Sequence, residues 1–226
     1  MDILVFDVNE TLLDVRALDK GFEDVFGESS ARAEWFEMLL QRAFTATLTG
    51  AYRDFGTLAK SAAGMVAAKR GISLDDTKAA ALLEPMKSLP PHPEVRSALQ
   101  TLCDAGFTLT ALTQSPAATL DAQMTNSDLK HFFKRLFSVE AVRRYKPDPA
   151  PYRMVAQQMG CDIADLRLIA AHGWDVEGAM RAGCKAAFIA RPGQVLDPQT
   201  EKPGIIGTDL DEVCVELLGT AGAVKA

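Results

Sequence analysis

An aspartate at position 7 closes the apolar run Ile3-Leu4-Val5-Phe6 and opens Val8-Asn9-Glu10-Thr11. Thr113 closes a second apolar run, Phe107–Leu112, and a third, Leu166–Ala171, leads into His172-Gly173-Trp174-Asp175. Lys146 opens the stretch Lys-Pro-Asp-Pro-Ala-Pro-Tyr152. Each feature has a plain reading when taken alone. An Asp that ends a strand before a Thr is often a cap or turn former, and a lone Lys-Pro is usually a solvated helix start. In open α/β sheets, however, ligands bind beyond the carboxyl ends of the strands. A carboxylate, a hydroxyl, an ammonium and a second carboxylate arriving there in order point to one site.

The elements that must position these groups can be read from the same pattern. Short apolar runs at 3–6, 107–112, 166–171 and 186–190 predict strands. Between them, helical patterning covers 93–105, 116–124, 149–159 and 174–182, and Gly106, Gly160 and Gly183 sit where helices must stop. This alternation predicts an α/β fold with a doubly wound parallel sheet. Residues from about 14 to 86 break the rhythm with helical stretches at 34–48, 56–70 and 73–83, and show no convincing strand. On the first of these, Phe36, Leu39, Leu40 and Ala43 share a face. Turn signals at Ser29-Ser30 and Gly50 divide them. The expected organisation is a core of 1–13 and 87–226, with 14–86 inserted as an all-helical cap.

Composition narrows the function classes. The 226 residues are 48% apolar and 24% charged, enough for a self-sufficient core. Twenty-four basic against 30 acidic residues give −6, which argues against nucleic acid as a partner. The four cysteines (Cys103, Cys161, Cys184, Cys214) form no CxxC pair, so buried free thiols are expected rather than a zinc site or disulfides. No apolar run approaches a membrane span or a signal segment. The expectation is a soluble, cytoplasmic protein without a membrane partner.

With these residues in place, the sequence resembles the haloacid dehalogenase superfamily over essentially the whole chain. Phe-Asp7-Val-Asn-Glu-Thr11-Leu is similar to its first motif, Leu112-Thr113 to its second, Lys146-Pro to its third and Trp174-Asp175 to its fourth. Phosphatases of this superfamily carry a second Asp two residues after the nucleophile as leaving-group acid. Here that position is Asn9, which has no proton to give at neutral pH. They also place an acidic residue four or five positions before the last Asp to hold Mg²⁺, where this chain has Ala171 and Ala170. Within the superfamily the chain looks most like the type II 2-haloacid dehalogenases, with Tyr152 six residues after Lys146 and with Trp35, Tyr52 and Phe55 at similar cap positions.

The resemblance implies hydrolysis of small 2-haloacids through an aspartyl ester on Asp7, with no cofactor and no metal. Lys146 would offset repulsion between nucleophile and anionic substrate, which costs about 4 kcal/mol at ~4 Å and an effective dielectric near 20. Asp175 would position Lys146 or orient water. His172, beside Asp175, would be the water's general base or a core histidine. Thr11, Asn9, Thr113, Gln114, Tyr152, Phe36 and Trp174 would bind or enclose substrate. The chain departs from the family where a cap arginine contacts halide and carboxylate, because Phe36 stands there. Arg42 lies about 240° around the helix from Phe36. Ala170 and His172 replace Ser and Asn, and Thr113 replaces Ser. A Mg²⁺-dependent phosphatase for a small phosphorylated metabolite remains the alternative, a vestigial scaffold a weaker one, and homodimerisation is left open.

Overall fold

The computed structural model describes residues 3–223. Runs rich in Leu, Ile, Val and Ala become the central strands, buried on both faces as a covered parallel sheet requires, and two short, partly exposed strands join at the edges. These are β1 (Ile3–Phe6), β2 (Thr108–Thr113), β3 (Arg135–Ser138), β4 (Leu166–Ala170), β5 (Lys185–Ile189) and β6 (Ile205–Gly207). All pair in parallel in the order β3-β2-β1-β4-β5-β6. The chain winds from β1 through β2 to β3 on one side and from β4 through β5 to β6 on the other. Direction therefore reverses between β1 and β4, where the open crevice of such sheets lies. Register brings the carboxyl ends level: Phe6 pairs with Ala111 and with Ile169.

The doubly wound parallel sheet is as the alternation predicts, but β3 and β6 were not expected. β3 is four residues long and starts with an exposed Arg135, and β6 is three residues ending in glycine. Segments this short carry no periodic signal.

Between β1 and β2, the described residues of the 14–86 segment form helices only: α1 (Asp19–Phe26), α2 (Ser30–Thr49), α3 (Phe55–Lys69) and α4 (Asp76–Leu83), with 3₁₀ turns at Val15–Leu18 and Glu84–Ser88. Sequence reading missed α1, although Phe22 and Phe26 are four apart and both buried. α2 begins at Ser30 and ends at Gly50, which takes the left-handed φ of 69° that favours glycine. Its Trp35, Phe36, Leu39, Ala43 and Ala46 are buried, whereas Leu40 is half-buried. The Trp35 indole donates to the Ala59 carbonyl of α3 at 2.9 Å. The two ends of the helical excursion are tied together: Asp14 N–H donates to Pro90 O (2.8 Å) and His92 N–H to Leu12 O (3.0 Å).

The remaining helices are α5 (Val95–Asp104), α6 (Ala117–Asn126), α7 (Pro149–Met159), α8 (Gly173–Ala182) and α9 (Leu210–Ala223). α7 starts at a proline, where the missing N–H is harmless, and Asp148 caps it by accepting from Ala150 N–H at 2.8 Å. Among the described residues, no helix is long and apolar enough to cross a membrane.

Candidate active site

β1 ends at Phe6, so the next residue, Asp7, emerges at the carboxyl edge beside β4, with its N–H still bonded to Ile169 O at 3.0 Å. On one side stands Lys146. Its Nζ donates to Asp7 Oδ1 (2.8 Å), Asp175 Oδ2 (2.6 Å) and Leu112 O (3.1 Å), which uses all three of its protons. Lys146 and Asp175 are each 0% exposed. Asp175 receives a further bond at its other oxygen, from Tyr152 Oη at 2.5 Å.

These contacts set the charges. Burial alone would raise the Asp7 carboxyl. The Lys146 charge and the His172 hydrogen bond together outweigh burial and hold it well below the usual carboxylate range. Burial works against the Lys146 ammonium too, but Asp175 and Asp7 together keep it above its ordinary value. Burial is the first cause lifting Asp175 and Tyr152 above theirs. Asp7 is thus an ionised carboxylate in a dry place, made tolerable by the Lys146 ammonium together with His172.

Lys146 is positioned through its backbone. The Gln114 side chain, just past β2, accepts from Lys146 N–H and donates to Lys146 O, both at 3.0 Å. Pro147 then packs on α8 at Gly178, where an added Cβ would meet the Pro147 Cβ at 2.3 Å. Only glycine permits that approach.

The other side of Asp7 is built differently. Thr11 Oγ1 donates to Asp7 Oδ2 at 2.7 Å and itself accepts from Ala171 N–H at 2.9 Å. His172 Nδ1 lies 3.2 Å from the same Asp7 oxygen, and His172 Nε2 lies 2.7 Å from Glu10 Oε2. Sequence reasoning placed His172 beside Asp175; the fold puts it between Asp7 and Glu10. With a carboxylate oxygen at each ring nitrogen, both nitrogens carry protons. Burial opposes the cation, yet the Asp7 and Glu10 hydrogen bonds and charges push the pKa up to about 9. Phe36 from α2 and Trp174 from α8 both stack on the ring, with centroids 5.9 and 5.1 Å away.

Glu10 is the residue that sequence reasoning missed. Its backbone has a φ of 64°, left-handed and uncommon for a side chain of this size. Its carboxylate also accepts from Gln194 Nε2 at 3.2 Å and pairs with Arg32 Nη1 of α2 at 3.6 Å. The signal was present: an acid three residues after Asp7, in a turn at a sheet edge.

Several residues expected to bind substrate are engaged elsewhere. Tyr152 is 1% exposed and bonds Asp175, and the Gln114 amide is occupied by the Lys146 backbone. The Thr113 hydroxyl accepts from Ser115 N–H at 3.2 Å. The Asn9 amide donates to Ser115 Oγ (3.2 Å) and accepts from Gln123 (2.9 Å). A cavity of about 220 Å³ opens above Ser115, lined by Trp35, Leu39, Phe55, Lys60 and Lys87. Ser115 lines it and accepts from Asn9, while Asp7 does not line it and is 3% exposed. Asp7 and Asp175 already bond the Lys146 ammonium, and Ala170 and Ala171 add no side-chain oxygen. This donor set does not fit a divalent cation that needs an octahedron of oxygens.

The fold and site together define an α/β enzyme whose central element is a buried carboxylate paired with a buried ammonium at the switch point of a parallel sheet. The chain belongs to the haloacid dehalogenase-like hydrolase family, whose model matches residues 4–189. It is 27% identical to an (S)-2-haloacid dehalogenase of Pseudomonas putida, over 93% of each chain. Haloacetate dehalogenase H-2 of Moraxella sp. (strain B) is 26% identical over 94% of this chain and 96% of its own. The structure of L-2-haloacid dehalogenase from Xanthobacter autotrophicus with chloropropionic acid covalently bound superposes with a TM-score of 0.91. It covers 97% of this chain and 99% of that one at 22% identity, which speaks to the fold.

Proposed function

We propose that the protein hydrolyses small 2-haloacids through an ester on Asp7, releasing halide and a 2-hydroxy acid. The observation that carries this reading is Asp7 itself: ionised, buried and held by Lys146, with Asn9 where a phosphatase would need an acid for its leaving group. A carboxylate held this way can attack a carbon bearing a good leaving group, since halide needs no proton to depart. Lys146 offsets the approach of an anionic substrate, and Thr11 fixes the nucleophile's second oxygen. Phe36 leaves the pocket without a cap arginine, and protonated His172 supplies a cation on that face instead. The curated relatives named as 2-haloacid and haloacetate dehalogenases support the substrate class.

We further assign residues 14–86 as a cap that closes this site, because α2 delivers both Phe36 to His172 and Arg32 to Glu10. The cavity beside Ser115, lined by Lys60 and by Lys87 paired with Glu84, is our candidate entry path for a small anion.

The test is halide release from chloroacetate and from each enantiomer of 2-chloropropionate, with and without EDTA. Release should survive EDTA and vanish in Asp7→Asn, whose amide has no anionic oxygen. A single turnover in ¹⁸O-water should place the label in the Asp7 carboxylate rather than in the product. Hydrolysis of an aryl phosphate that depends on added Mg²⁺ would move the protein to the phosphatase reading.

A further inference from the structure

The second half of the dehalogenase reaction needs a base, and the sequence left its identity open between His172 and a water oriented by Asp175. Asp175 is poorly placed for that task. Lys146 and Tyr152 occupy its two oxygens and it is 0% exposed. Thr11, which also reaches Asp7, is no base, and among the described residues the remaining polar row at Asp7 runs through His172 to Glu10, at 3.2 and 2.7 Å. Resting on that reading, we propose that His172, oriented by Glu10, takes the proton from the water that cleaves the Asp7 ester, after serving as a cation while the ester forms.

The geometry is that of a base held by a third group. Glu10 fixes one ring nitrogen, and the other faces the Asp7 carboxyl that becomes the ester. Glu10 is held from three directions, by His172, by Gln194 and by Arg32, in a left-handed backbone conformation. Strain of this kind persists where surrounding structure enforces it. The loop carrying Gln194 comes close because Gly173 has no side chain; an added Cβ would meet Val195 O at 2.8 Å.

Among the described residues the titratable groups around the ring include His92, whose Nε2 lies 3.0 Å from the Glu10 carbonyl, and Glu94, paired with Arg191 at 2.6 Å. Asp7 and Glu10 bond the ring directly. Behind Asp7 stand Lys146 and Asp175, and behind Glu10 stands Arg32, which also pairs with Asp19 at 2.7 Å. Arg191 reaches the neighbouring Thr11 carbonyl at 2.9 Å. Phe36 and Trp174 add no formal charge. Of these groups only Asp7 changes charge during the reaction.

The steps balance. Asp7 attacks the halogen-bearing carbon, the carbon–halogen bond breaks with its electron pair, and halide departs. The ester is neutral, so His172 loses one of its two anionic neighbours and releases a proton to solvent. That proton is the one the net reaction must produce. Neutral His172 then accepts a proton from water as its oxygen adds to Asp7 Cγ. The tetrahedral adduct collapses with cleavage of the Cγ–O(alkyl) bond. The alkoxide takes the proton left on the new Asp7 carboxyl and leaves as the 2-hydroxy acid. Asp7 is again a carboxylate beside protonated His172. Glu10 acts through His172 and is a positioning residue.

The experiment follows (S)-2-chloropropionate with wild type, His172→Asn and Glu10→Gln, by rapid-quench halide release and intact-protein mass. General-base help is worth on the order of 10²–10⁴-fold. His172→Asn should therefore release about one halide per site, carry the ester mass, and hydrolyse it at least ~100-fold more slowly. Glu10→Gln keeps the shape at position 10 and should show the same stall more mildly. Wild-type ester decay should rise with pH along one ionisation that is missing in His172→Asn. Ester decay at wild-type rate and pH profile in both variants would overturn the proposal, as would a folded His172→Asn that forms no ester. A wild type that forms no ester and releases no halide would instead overturn the dehalogenase reading.

Discussion

The two flanks of Asp7 differ in how much freedom they leave. On the Lys146 flank every partner is dry and matched: three donors meet three acceptors, and Tyr152 closes the row. Its groups come from the strand ends and from α7 and α8 beside them. On the His172 flank the row crosses from β4 through the Glu10 turn to the 194 loop and to α2. The side chains of Glu10 and Arg32 are each 14% exposed. One flank fixes a charge permanently. The other holds a charge that can change, and it joins the core to the segment assigned as a cap. A reaction that makes and then breaks an ester on one carboxylate needs both behaviours side by side.

The largest way to break this comparison is to remove the fixed cation. Lys146→Met leaves Asp7 and Asp175 buried without their partner, a loss of about 3–5 kcal/mol for a buried pair. Urea unfolding should show that drop, and halide release should be undetectable. A Lys146→Met protein as stable as wild type would mean that the flank is not the electrostatic anchor described.

The His172 flank should reveal itself in the pH dependence of stability. The folded pKa of His172 is raised to about 9, against an unfolded value of about 6.5. A raised value means the stabilisation is full below about pH 6.5 and is lost as pH rises through about 9. Its full size is on the order of 3 kcal/mol. Wild type minus His172→Asn, measured by urea unfolding from pH 6 to 10, should fall across that window. A flat difference would mean that the ring is neutral when folded.

Gly178→Ala sharpens the fixed flank without touching a charge. The new methyl would collide with Pro147, at a cost of roughly 1–3 kcal/mol for overpacking. Because Pro147 follows Lys146, the turnover number should fall while the fold persists. Stability lost with an unchanged turnover number would show that Lys146 does not depend on this contact.

The smallest effect belongs to the cap contact. Arg32→Gln removes two partly exposed pairs, with Glu10 at 3.6 Å and with Asp19 at 2.7 Å, each worth roughly 0.2–1 kcal/mol. KM for 2-chloropropionate should rise a few-fold with little change in unfolding midpoint. No change in KM would detach Arg32 from closure of the site.

The sequence by itself determined the parallel α/β core, four of its strands to within about a residue, the insertion after β1, and Asp7, Lys146 and Asp175 as members of one site. These were legible because each sits next to a strand end or a helix start, so local pattern fixes its place on the sheet edge. The short edge strands β3 and β6 were not legible; their pairing comes from neighbours rather than from their own composition. Tertiary structure alone decided what the side chains do there. Gln114 and Tyr152 read as pocket residues, yet they hold Lys146 and Asp175. His172 read as a neighbour of Asp175, yet it lies between Asp7 and Glu10, which are 165 and 162 residues away in the chain. A charge state depends on which groups meet across the fold, and periodicity along the chain carries no record of distance between segments that far apart.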